Sequence, residues 1–214
     1  MTDTNAMIRC LAREAGARSE SRCAGTEFGR TLLGASLIAF VLALGLVLLV
    51  GGRDVDWDTV LRSDPFHYKA GVMILLASGA FVVVRHEGVP GSSRWAALAL
   101  LPGMAALLVG AIVDTSGFPL FGRDAASVPI CFLSILALSL PALAIMLRTL
   151  KGAVVTRPTL AGVSSGLLAG ALGACAYAVA CKNDGALFVL VWYGLAIGTV
   201  CLLGAAAGRR YLRW

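Results

Sequence analysis

The sequence predicts an all-α integral membrane protein, a bundle of six transmembrane helices preceded by a short cytoplasmic amphipathic segment. Three observations predict it. Of the 214 residues 58% are hydrophobic and 14% charged, with a mean hydropathy of +0.85, far from a soluble domain. Apolar runs near the length of a bilayer core recur six times, and the cations gather in alternate gaps between them. A helix crosses the hydrocarbon with ~20 apolar residues, because backbone groups in lipid must satisfy one another.

Residues 1–30 come first and are the only sizeable polar stretch. Within TNAMIRCLAREAGA, Thr4 is placed to cap a helix that gathers Met7, Ile8, Leu11 and Ala15 on one side, with Arg9 and Arg13 on the other. A helix this short needs something to cover its apolar face. The membrane surface and a soluble partner fit that requirement equally well. The segment is too long and polar for a signal-peptide leader and no small-residue cleavage pattern follows, so the first span is expected to be retained.

The spans are expected at Thr31 to Gly51, Phe66 to Val84, Trp95 to Val113, Val128 to Leu147, Thr159 to Cys181 and Ala186 to Gly208. The second contains Lys69, which is expected to snorkel to the interface. The loop GRDVDWDTVLRSDP before it alternates acids with apolar residues and reads as a short surface helix or turn. Its Asp54, Asp56 and Asp58 lack calcium-loop spacing. In the fifth span Gly162, Gly166 and Gly170 repeat every fourth residue, and the sixth holds Gly194 with Gly198 and Gly204 with Gly208. Small faces of this kind permit close helix approach, within the chain or in a homodimer. Residues 31–208 thus form the membrane domain and 209–214 a basic tail.

Six spans put both termini on one side. That side carries Arg9, Arg13, Arg18, Arg22, Arg30, Arg85, Arg94, Arg148, Lys151, Arg157, Arg209, Arg210 and Arg213, while the other has Arg53, Arg62, Lys69, Arg123 and Lys182. The positive-inside rule places the termini in the cytoplasm. The net charge of +6 is therefore a topology signal and calls for no direct nucleic-acid partner.

No enzyme constellation is present: CxxC, HExxH, a phosphate-binding glycine loop and paired intramembrane carboxylates are all missing, and an enzyme is not expected. Asp114, at the edge of the third span, reads as an interfacial cap ahead of a proton relay. Of the cysteines at 10, 23, 131, 175, 181 and 201, four read as small packing residues. Cys131 and Cys181 fall at similar depth near the outer ends of the fourth and fifth spans. A thiol at the water boundary beside Lys182 ionises readily. Two such thiols are equipped to close a disulfide, structural or reactive, or to hold a soft metal ion, with His67 as a third ligand. No other cofactor is indicated.

The pattern Tyr177, Cys181, Asp184, Phe188, Trp192, Tyr193, preceded by Thr156-Arg157-Pro158 and Ala161-Gly162, closely resembles the membrane anti-sigma factors of the NrsF type. Cys131-Phe132-Leu133-Ser134-Ile135 and Arg210-Tyr211-Leu212-Arg213-Trp214 share the resemblance. It implies a multi-pass protein of the bacterial inner membrane that sequesters an extracytoplasmic-function sigma factor and releases it under heavy-metal or oxidative stress. It further implies Cys131 and Cys181 as the sensing pair, supported by Tyr177, Asp184, Trp192 and Tyr193. Met7, Ile8, Leu11 and Ala15 would then be the sigma contact. The competing classes are a membrane thiol-redox enzyme, which the missing CxxC disfavours, and a metal or solute exporter, which the uncharged midplane disfavours.

Overall fold

The computed structural model describes residues 18–51, 57–88, 94–122, 127–153 and 155–212. Met7, Ile8, Leu11 and Ala15 lie outside these residues. Six helices among them are long and apolar enough to cross a membrane. They are α1 (Arg18–Gly51), α3 (Asp64–Glu87), a 3₁₀ stretch Arg94–Leu100 that runs into α4 (Leu101–Val113), α5 (Ser127–Lys151), α6 (Pro158–Tyr177) and α7 (Ala186–Tyr211). The surface helix expected before the second span is α2 (Trp57–Arg62), closed by an exposed Arg62–Asp58 pair at 3.1 Å.

Local chemistry accounts for the less regular parts. Pro102 offers no N–H to the turn before it and its ring crowds that turn, so Arg94–Leu100 winds as 3₁₀ before α4 begins. Helix α7 carries one π turn, Val189–Tyr193. Its wider winding re-aims Trp192 and Tyr193 relative to the rest of the helix.

Helix α6 is the centre of the bundle. Its most apolar stretch is 72% buried, against 11% for the span Trp95–Val113 at the periphery. Small residues make that position available. A Cβ at Gly162 would collide with the Gly204 carbonyl, at Gly166 with that of Val200 and at Gly208 with that of Pro158, so α6 and α7 touch backbone to backbone. Gly173 receives the Ser139 hydroxyl of α5 in the same way. The glycine faces of Gly162, Gly166, Gly204 and Gly208 are thus used within the chain, which removes them as a homodimer surface. Gly194 and Gly198 face outward with nothing near them.

Helix α3 lies against α6 and ends on α1, where the Phe28 ring occupies the space a side chain at Gly88 would need. The Arg-rich ends of α1, α3, α5 and α7 share one end of the bundle. The connector 178–185 between α6 and α7 lies at the other, with Cys131 and Lys69.

Candidate functional site

At that second end, α6 stops at Tyr177 and the chain turns through Ala178, Val179 and Ala180 before Cys181. The expected fifth span ran to Cys181; the structure ends it a turn earlier. The Cys181 N–H donates back to the Tyr177 carbonyl at 3.1 Å, and the polar run Lys182-Asn183-Asp184-Gly185 then breaks helical continuity until α7 begins. The connector folds inward, so Cys181 is buried at 9% exposure and Asn183 at 8%, while Cys131 on α5 is fully buried.

The two thiols are neighbours close enough to influence each other, both cysteines are free, and the Cys181 thiol donates to the Asn183 carbonyl at 3.8 Å. Cys181, outside the spanning helices, is held below the usual thiol range first by the neighbouring Cys131 thiol and then by the Lys69 ammonium, against the opposing effect of burial. The Tyr193 hydroxyl also faces the Cys181 sulfur. It has no nitrogen or oxygen partner although Tyr193 is fully buried. Tyr177 packs beside it with ring centroids 6.4 Å apart.

Four expectations about this site are overturned. The activating cation is not Lys182, whose side chain is exposed, but Lys69 of α3. Lys69 does not snorkel; at 1% exposure its Nζ donates to the Cys181 carbonyl at 3.1 Å and pairs with Asp184 Oδ1 at 2.8 Å. Burial of an ammonium is tolerated because a carboxylate and a carbonyl replace its water. The thiols are also enclosed, where the sequence suggested a water boundary. His67 is not brought to them: it is exposed, with Nδ1 against the Ser63 carbonyl at 2.8 Å. Two residues, about 200° of helical rotation, separate His67 from Lys69, so the two face opposite ways and Lys69 takes the inward face. Among the described residues no three His, Cys, Asp or Glu side chains converge as a metal site.

Neighbouring residues hold the connector in place. Asp114 Oδ2 accepts the Leu187 N–H at 2.9 Å, capping the start of α7, while Oδ1 accepts the Ser116 N–H at 2.9 Å. The Ser116 hydroxyl foremost, then the Leu187 and Ser116 N–H groups, keep the Asp114 carboxyl below its ordinary range. Trp192 points away from the thiols and donates Nε1–H to the Leu120 carbonyl at 2.8 Å. Five of the residues singled out by sequence, Cys131, Cys181, Tyr177, Tyr193 and Asp184, converge here; Trp192 braces the site from outside. Lys69 was missed as a member. The available signal was an opposite charge, Asp184, in the loop between the last two spans at the same end of the bundle.

Comparison with known proteins places this architecture. The sequence profile of "Negative regulator of sigma F" (NrsF) matches residues 17–214. The chain belongs to the NrsF family. The NrsF proteins it is similar to include the "Anti-sigma-F factor NrsF" of Caulobacter vibrioides, 32% identical over 99% of both chains. Another is the "Probable anti-sigma-F factor NrsF" of Azospira oryzae, 34% identical over 87% of this chain and 84% of that one. No solved structure matches this NrsF chain. The NrsF match covers both the thiol pair and the Lys69–Asp184 bridge.

Proposed function

We propose that the chain is a membrane-embedded anti-sigma factor that holds an extracytoplasmic-function sigma factor at the cytoplasmic face of the bacterial inner membrane. The apolar face of Met7, Ile8, Leu11 and Ala15 makes the capture. Chemistry at Cys131 and Cys181 triggers release. The family and its two named relatives support the sigma partner. The single observation that carries the trigger is the burial of two free thiols from α5 and the α6–α7 connector as neighbours, beside the buried Lys69 ammonium.

Two reactions suit such a pair. A peroxide takes two electrons from the thiols, forming one S–S bond and two waters as the O–O bond breaks and both thiol protons are taken up. Alternatively a soft divalent ion replaces both thiol protons and bridges the sulfurs. Either event removes the Cys181 thiol proton that bonds the Asn183 carbonyl and pulls on the connector whose Cys181 carbonyl holds Lys69. Helix α3 then carries the change. From Lys69 to Arg85 it runs ~24 Å, and at its far end Gly88 and Arg85 lie on Phe28 and Gly29 of α1. Helix α1 in turn leads to the capture segment. A coupling of ~1–3 kcal/mol changes sigma affinity by roughly 5–150-fold, sufficient for a transcriptional switch.

The experiment is co-purification of the sigma factor with full-length protein, with protein lacking residues 1–17, and with Cys131→Ser/Cys181→Ser. Full-length protein and the double variant should both retain the sigma factor, and only the former should lose it on adding peroxide or a soft metal. Release from the double variant by the same reagents would refute the cysteine trigger. Retention by the truncated chain would refute the capture segment.

A further inference from the structure

Helices α1 and α3 meet near Gly88 and diverge above it, with few contacts along their length. The gap between them is a cleft of about 470 Å³, walled by Leu37 and Phe40 of α1 and by Ile74 and Phe81 of α3, and floored by Leu168 and Leu172 of α6. Its polar side chains present nothing to an occupant, since the Ser36 hydroxyl bonds the Leu32 carbonyl and the Ser78 hydroxyl the Leu75 carbonyl of their own helices. Leu33 and Phe81 also line a second hollow of about 320 Å³ at the Arg-rich end, where Arg30 and Arg85 stand on either side. Gly29 permits this: a Cβ there would be 3.1 Å from Arg85 Nε, so the guanidinium can lie along α1. Neither Arg30 nor Arg85 has a carboxylate partner among the described residues.

We infer that this continuous hollow binds one anionic phospholipid, its phosphate between Arg30 and Arg85 and an acyl chain in the cleft below. The dimensions suit a lipid of one leaflet. From Arg30 to Phe40 the cleft descends ~15 Å of helix, half of a ~30 Å hydrocarbon core. The charge suits an anion, because two guanidiniums with no carboxylate partner among the described residues stand at headgroup level and form the kind of basic pocket between spans that acidic lipids occupy. An apolar peptide or a second copy of the chain would fill the cleft but leave both arginines unanswered.

The test uses full-length protein, delipidated in neutral detergent and titrated with phosphatidylglycerol or phosphatidylcholine, with bound lipid counted by native mass spectrometry. One phosphatidylglycerol should bind at least about tenfold more tightly than phosphatidylcholine, since each arginine contributes about fivefold. Arg30→Gln/Arg85→Gln should bring the two lipids within about twofold, and Arg30→Lys/Arg85→Lys should keep most of the preference. Ser78→Trp, which fills the cleft from an exposed position, should weaken both lipids together and keep the inference testable if the arginine variants fold poorly. Glycerol phosphate, a headgroup without tails, should not compete. Equal binding of the two lipids, a preference that survives loss of both arginines, or a dimer whose formation excludes lipid would overturn the inference.

Discussion

Lys69 of α3 and Asp184 of the α6–α7 connector form an ion pair of 2.8 Å in which the lysine is buried and the carboxylate about one-third exposed. The pair ties the second span to the loop that carries Cys181. Because the lysine has no other route to water, its two partners are unequal in what their loss does. Asp184→Asn strands a buried cation, whereas Lys69→Met leaves a carboxylate that can still be hydrated.

The expected outcome is that Asp184→Asn lowers stability by ~2 kcal/mol, discounted for the exposure of the carboxylate, and that Lys69→Met costs less. The double variant should recover part of the loss. Thermal unfolding of the four proteins in detergent, combined as a double-mutant cycle, measures the coupling. Additive losses would show the pair to be energetically idle.

The glycines of α6 and α7 divide sharply by what faces them. Gly166→Ala should destabilise by ~1–3 kcal/mol, because the new methyl group meets the Val200 carbonyl and the Cys201 backbone, neither of which can move aside. Gly198→Ala, on the open face, should stabilise by ~0.5–1 kcal/mol through helix propensity alone. Unfolding midpoints of the two variants against the native chain decide the matter.

Much of this was legible in the sequence, and the parts that were not share one cause. Span positions follow from length and hydropathy, which are one-dimensional properties; all six helices appear where the apolar runs lie. The four-residue glycine spacing also pointed to close packing, and its use between α6 and α7 became visible only with both helices in place. Which face of a span turns inward is a pairwise property. Lys69 looked like an interfacial cation because its neighbours in sequence are apolar, while its actual partners lie 112 and 115 residues away. Lys182 looked like the cation for Cys181 because it is adjacent, yet consecutive residues in a turn point apart.

Asp114 gives a pH dependence with a definite sign. Its carboxyl is held below the ordinary range by Ser116 and by the Leu187 N–H at the start of α7, so the folded state favours the ionised form. A depressed folded value means the stabilisation is complete above the unfolded carboxyl pKa of ~4 and is lost as pH falls below it through the folded value. Asp114→Asn, which keeps an acceptor but no charge, should flatten that acid limb, whereas Asp114→Ala should also cost about 1 kcal/mol at neutral pH as a lost helix cap. Stability measured from pH 7 to pH 2 on the native chain and both variants checks it; an unchanged acid limb would exclude Asp114 as its source.

Tyr193 provides the most discriminating probe of the thiol pair. Its hydroxyl is fully buried, lacks an oxygen or nitrogen partner, and faces the Cys181 sulfur. A polar group so placed costs folding energy unless the sulfur is an anion able to accept its hydrogen bond. Tyr193→Phe keeps the ring against Tyr177 and removes only the oxygen. While Cys181 is a neutral thiol the substitution should be neutral or stabilising by ~1 kcal/mol. Once Cys181 is ionised it should be destabilising, since the thiolate then loses a donor. The variant's relative stability should therefore fall as pH is raised through the Cys181 titration, and Cys131→Ser/Cys181→Ser should abolish that pH dependence. Unfolding of the native chain and of these variants, followed across pH, reads the sign directly. A constant difference at every pH would mean that the hydroxyl and the sulfur do not communicate.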